Sequence, residues 1–204
     1  MSALRKTSFG QQQDQLSFVD RFGVWLSRRS IQRFVPHFQG LRFADYGCGY
    51  HAPFFQSIQG QVHSAVLMDV ALAESLKKLS HVRAFEGDLI ENLSLVSDSS
   101  LDVILFISVL EHLFQPEKVL SDLYRQLAPG GLCLINVPSW RGQYFLEFSA
   151  FRLGLSPAAE MDDHKMYYDP RDLWPLLVKA GFKPSQLKIF THKFGLNTFA
   201  VCRK

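Results

Sequence analysis

The chain has 204 residues, of which 47% are apolar and 20% charged, and a formal net charge of +3. The length suits one α/β domain with a small appended cap, and the composition excludes a disordered chain. The charge is too weak to call for nucleic acid, and Cys48, Cys133 and Cys202, none of them in a C-x-x-C pair, give no ground to expect a disulfide framework or a metal site.

Residues 1–15 are polar and Gln-rich, without the apolar core of a signal peptide. No run reaches the roughly 18 apolar residues of a transmembrane segment. The expectation is a cytoplasmic protein. The first dozen residues read as flexible. Over residues 16–38, apolar side chains such as Phe18, Phe22, Trp25, Ile31 and Val35 recur at helical spacing. This predicts one or two amphipathic helices, broken near 28–30 and stopped at Gly40. Residues 1–38 are thus read as an N-terminal helical cap, and 39–204 as the main domain.

Beyond Gly40 the pattern changes. Short apolar runs at 41–46, 62–68, 82–85, 101–107 and 132–137 read as strands, and 52–59, 71–79 and 116–127 as helices. That alternation implies right-handed βαβ units and a parallel sheet. Residues 138–168 break the rhythm with Trp140, Tyr144, Phe145, Phe148, Phe151, Tyr167 and Tyr168, and read as a lid insertion. A helix follows over 171–180, with Pro175 near its first turn and Gly181 as its cap. Runs at 182–190 and 194–201 leave no room for a crossover helix and should pair as an antiparallel hairpin. The fold class is α/β: a Rossmann-like, mostly parallel seven-stranded sheet, with helices on both faces and a C-terminal hairpin.

Three motifs carry chemistry. Asp45-Tyr46-Gly47-Cys48-Gly49 lies between the first strand and a helix, where glycines let a ligand approach the main chain. Asp69 stands 20 residues after Gly49, at the end of the second strand. A carboxylate there offers two acceptors to a ribose diol, unless it only caps the next helix. Glu86-Gly87-Asp88-Leu89 ends the third strand, where an acidic side chain can accept from an adenine amine, although Gly-Asp is also ordinary turn chemistry.

At these points the sequence resembles the class I S-adenosylmethionine-dependent methyltransferases, and is similar to small bacterial ubiquinone-biosynthesis-type methyltransferases. Three further stretches carry the likeness: residues 101–113, which end in Glu111-His112-Leu113; the turn Leu127-Ala128-Pro129-Gly130-Gly131-Leu132; and His164 to Tyr168 with Pro170 and the helix that ends at Ala180-Gly181-Phe182. The resemblance implies S-adenosylmethionine as cofactor and S-adenosylhomocysteine as product. It places Asp45, Gly47, Cys48 and Gly49 around the methionine part, Asp69 and Val70 at the ribose, and Asp88 and Leu89 at the adenine. Ile107 and Ser108, with Leu110 to His112, would line the methionine and acceptor side. His51 stands where the family often has a third glycine.

Displacement at a sulfonium methyl needs proximity and alignment first. A general base is needed only for an acceptor that must lose a proton, and Glu111, His112 and His164 are the candidates. The plainer alternative for Glu111-His112 is a structural turn. The aromatic lid suggests a small-molecule or lipid-like acceptor, with a sugar or cell-envelope intermediate next. The signature of base-methylating enzymes is absent at residues 107–110. Two rival readings are a non-catalytic, cofactor-binding regulatory protein and an NAD-dependent dehydrogenase. The latter lacks support from a full G-x-G-x-x-G.

Overall fold

The computed structural model describes residues 8–11, 18–144 and 164–204, with the backbone alone for 18–21. Strand β1 (Arg42–Tyr46) lies between β2 (Ser64–Asp69) and β4 (Leu101–Ile107). Outside these stand β3 (Val82–Glu86) and β5 (Leu127–Pro138), and all pairings among the five are parallel. β6 (Leu187–His192) and β7 (Asn197–Arg203) form the expected antiparallel hairpin. β7 also adds antiparallel to β5, giving the order β3-β2-β1-β4-β5-β7-β6.

β1, β2, β4, β5 and β7 bury both faces over most of their length, which explains their apolar runs, whereas the edge strands β3 and β6 expose residues such as Arg83 and Lys188. Successive residues point to opposite sides. Ala44, Tyr46, Val66, Met68, Ile104 and Phe106 join one core. Phe43, Ala65, Leu67, Val103 and Leu105 join the other.

The first core is covered by α4 (Leu89–Leu93), α5 (Pro116–Gln126) and α6 (Pro170–Lys179), through Leu93, Leu120, Leu123, Leu173 and Leu177. The second is covered by α1 (Phe18–Phe34), α2 (Pro53–Gln56) and α3 (Glu74–Lys77), through Ile31, Phe55 and Leu76. α1 runs unbroken through 28–30: Arg28 and Arg29 are its solvent side, not a break. α2 and α3 have four residues each, shorter than their sequence patterns suggested. The short α4 escaped the periodicity. Pro175 is the sixth residue of α6, a correction to its expected place in the first turn, which Pro170 takes. At that depth it forfeits one intrahelical hydrogen bond. The capping box of Asp169 and Asp172 secures the start of the helix.

A helix begins at 140–144. Most of the expected lid, including Phe145, Phe148 and Phe151, lies outside the described residues. Among the described residues, no helix is long and apolar enough to cross a membrane.

Candidate active site

Strand order reverses between β1 and β4, and the carboxyl ends of the central strands line up beside that crevice: Tyr46 is level with Met68 and with Phe106. Open α/β sheets bind ligands there. The turn after β1 is held by the Gly47 and Cys48 amides, both donating to the Met68 carbonyl at 2.7 and 3.3 Å. Gly47 has φ +74°, and a Cβ on it would fall 2.2 Å from Val109 Cγ2. The turn and the segment after β4 therefore touch only because residue 47 lacks a side chain.

Asp69 organises this turn. Its Oδ2 accepts the Gly49 N–H at 2.7 Å, and its Oδ1 accepts the Val70 N–H at 2.8 Å. Each oxygen keeps a second lone pair for a diol. The alternative role as a helix cap fails, because α3 starts at Glu74 with Ala73 at its N-cap.

Asp45 is buried one strand over. Burial, and then the nearby Asp69 carboxylate, push its carboxyl up to about 7. Two carboxylates converging on a glycine turn suit a cationic ligand, whose charge relieves the repulsion. The ammonium and sulfonium groups of S-adenosylmethionine fit this donor set. Cys48 is buried, with its thiol raised far up by burial, so it stays a neutral wall of the turn.

Asp88 caps α4, its Oδ1 accepting from the Ile90 and Glu91 amides at 2.8 and 3.1 Å. Both bonds fall on one oxygen, so the cap does not engage Oδ2. Leu89 packs against the first core. Ile107 ends β4. The exposed Ser108 after it adopts φ +57°, unusual for a residue with a side chain, and donates its N–H to Asn136 at 2.8 Å. Such backbone conformations concentrate at functional sites.

Past Ser108, a short 3-10 turn (Leu110–His112) presents Glu111 and His112. His164, 52 residues further on in sequence, arrives beside them. Its ring centroid is 4.9 Å from that of His112, and potential ligand atoms of Glu111, His112 and His164 all lie within 4.8 Å of one another. The Glu111 carbonyl fixes this meeting by accepting the Lys165 and Met166 amides at 2.7 and 3.3 Å. Glu111 is 1% exposed. Tyr167 Oη lies 3.3 Å from His164 Nδ1, and the Tyr167 ring is 5.7 Å from that of Trp140. The three sequence candidates for proton chemistry thus form one cluster.

Two features had no legible signal in the sequence. Residues 8–11 form a turn over the glycine loop, where the Phe9 carbonyl accepts the Tyr50 N–H at 2.9 Å. Four residues are too few for a periodic pattern, and this contact corrects the expectation of flexibility at these positions. At the end of β5, the fully buried Asn136 carboxamide makes no hydrogen bond among the described residues. His51 is exposed and lies edge-on to Tyr50. A cavity of about 780 Å³ opens on the β6 side of this edge, lined by Arg141, Asp169, Arg171, His192 and Lys193 among others, and does not reach the glycine loop.

The reversal of strand order beside a glycine turn, with an antiparallel β7 inserted before β6, defines the architecture of a class I methyltransferase. It differs from the dinucleotide-binding order 3-2-1-4-5-6 at that inserted strand. A family model for the methyltransferase domain matches residues 20–187, and the chain belongs to this family, whose class makes S-adenosylmethionine its cofactor. A probable S-adenosylmethionine-dependent methyltransferase of Mycolicibacterium smegmatis is 26% identical over 179 residues, covering 84% of this chain and 64% of that protein. One from Mycobacterium tuberculosis is 26% identical over 171 residues, covering 80% and 57%. The chain therefore spans roughly three-fifths of the length of these relatives. The crystal structure of an S-adenosylmethionine-dependent methyltransferase from Archaeoglobus fulgidus superposes with a TM-score of 0.62 at 17% identity, over 92% of this chain and 100% of that one. One from Mesorhizobium loti gives 0.62 at 14%, over 88% and 97%. At these identities the likeness is one of fold.

Proposed function

We propose that the chain transfers the methyl group of S-adenosylmethionine to a small-molecule acceptor and releases S-adenosylhomocysteine. The observation that carries this reading is the bond from the Gly49 amide to Asp69 Oδ2, which couples the glycine turn to the acidic end of β2. In this reading Asp45, Gly47, Cys48 and Gly49 hold the methionine part. Asp69 and Val70 hold the ribose, and Asp88 and Leu89 the adenine. Ile107 and Ser108 face the methyl group. When bound, the cofactor supplies a methyl carbon already attached to a good leaving group.

The chain's own work is then to align the acceptor and exclude water. Glu111, His112 and His164 position the acceptor's nucleophilic atom and ease the loss of its proton. Residues 1–38 serve as a cap and 138–168 as a lid. Calorimetry with S-adenosylmethionine, S-adenosylhomocysteine and NAD tests the cofactor half. Binding of NAD alone sinks the proposal. Binding of S-adenosylmethionine, with methyl transfer to members of a hydroxyl and amine panel, supports it.

A further inference from the structure

The cluster beyond β4 brings together one carboxylate and two imidazoles, a mixed donor set whose ligand atoms lie within 4.8 Å of one another. In a tetrahedral zinc site, bonds of about 2.1 Å put ligand atoms roughly 3.4 Å apart. The present spacing thus closes onto an ion with movements of about an ångström. The two imidazoles are only partly buried, so they can make those movements by side-chain rotation.

The backbone is already in place. The Lys165 and Met166 amides bind the carbonyl of Glu111 itself, so the strip carrying His164 is tied to the turn carrying the other two groups. Tyr167 Oη lies 3.3 Å from Nδ1 of His164 and orients its ring. Metal-binding histidines are commonly oriented in this way, through their second ring nitrogen.

We propose that Glu111, His112 and His164 form a site for one divalent transition-metal ion, zinc by preference, with its remaining coordination position turned to the methyl acceptor. Two nitrogens and one oxygen favour zinc over magnesium or calcium, which take oxygen ligands. Three protein ligands with an open position are the pattern of a catalytic rather than a structural zinc site. The substrate class that follows is a hydroxyl-bearing acceptor, bound through oxygen. The acceptor oxygen coordinates the ion and its proton leaves to solvent. An oxygen lone pair then forms the bond to the methyl carbon, and the carbon–sulfur bond breaks with its electron pair remaining on sulfur. This inference rests on the reading of that edge as the acceptor side.

The test measures metal uptake separately from catalysis. The full chain is stripped with chelator, equilibrated with zinc or with magnesium, dialysed, and analysed for bound metal, with S-adenosylmethionine affinity measured on the same samples. The expected result is one zinc per wild-type chain and at least tenfold weaker zinc binding in His164→Ala and in Glu111→Gln, with cofactor affinity kept. The partly exposed His164 serves should the buried Glu111 variant misfold. Zinc uptake by wild type no greater than by a His112→Ala/His164→Ala variant that still binds cofactor overturns the proposal, and so does uptake of magnesium in preference to zinc. Stoichiometric zinc without any cofactor binding supports the metal site and instead removes the methyltransferase reading.

Discussion

Asp69 and Gly49 are joined by a 2.7 Å hydrogen bond from the glycine amide to Oδ2, although 20 residues separate them. The acidic end of β2 and the glycine turn after β1 are therefore one unit. A ligand held by the carboxylate also meets a turn whose shape that carboxylate sets.

This unit makes Asp69→Ala costly twice over. The variant loses the acceptors for a ribose diol and releases the Gly49 and Val70 amides. A hydrogen bond to a charged group is worth about 1.5–3 kcal/mol. The expected result is a loss of S-adenosylmethionine affinity of about tenfold or more by calorimetry. Asp69→Asn, which keeps one acceptor oxygen, should fall between. Unchanged affinity in the alanine variant would show that Asp69 shapes the turn without touching the ligand.

Asp45 gives the site a pH dependence. Its carboxyl titrates at about 7 in the fold, against an ordinary 3.8. Between those values the folded chain keeps a proton that the unfolded chain has released. The stability from this group is thus full below 3.8 and is lost as pH rises to about 7. His192, lowered by burial to about 4, has the opposite slope between pH 4 and 6.5, so the difference between wild type and Asp45→Asn is the useful readout. In thermal melts without cofactor, Asp45→Asn should gain on wild type from pH 5 to pH 8. Cofactor affinity should rise through pH 7 in wild type, where the ionised Asp45 attracts the cation, and stay flat in the variant. Parallel curves would remove Asp45 from the cofactor's surroundings.

How far the sequence revealed this site follows from which interactions are local. The central strands were legible because they are buried on both faces, and Asp45, Asp69 and Asp88 because they sit at or just past strand ends, Asp45 and Asp88 close to Gly47 and Gly87. The union of His164 with Glu111 and His112 was not. It depends on two backbone bonds to the Glu111 carbonyl, which leave no mark on side-chain pattern. The Phe9 contact with Tyr50 was hidden for the same reason. α4 was missed because five residues cannot display a helical period, although its Asp88 cap was in view. The insertion of β7 against β5 was also open, since an antiparallel hairpin can dock by either strand.

Gly47 tests the contact between the turn and the segment after β4. Gly47→Ala meets Val109 Cγ2 and also holds an alanine at φ +74°. The left-handed backbone alone costs about 1–2 kcal/mol. The variant should melt several degrees lower and bind cofactor poorly. Adding Val109→Ala should recover the steric part and leave the backbone part. A double variant no more stable than Gly47→Ala would show that Val109 is not what limits the turn.

The turn is also anchored from beneath. Tyr46, the residue before Gly47, is fully buried and donates its hydroxyl to Gln126 Oε1 at 2.7 Å, while Gln126 Nε2 donates to the Leu93 carbonyl at 2.9 Å. This chain of bonds ties the end of β1 to the end of α5 and the end of α4. Tyr46→Phe keeps the ring and leaves a buried carboxamide oxygen without its donor, a loss of about 1–3 kcal/mol. For a domain of this size that lowers the melting temperature by roughly 2–4 °C per kcal/mol. Adding Gln126→Leu should recover part of that loss, because it removes the orphaned carboxamide oxygen while the Leu93 carbonyl still accepts from Arg125 Nη2 and the Val96 N–H at 3.2 and 3.3 Å. A double variant less stable than Tyr46→Phe would show that the bond from Gln126 to Leu93 carries weight of its own.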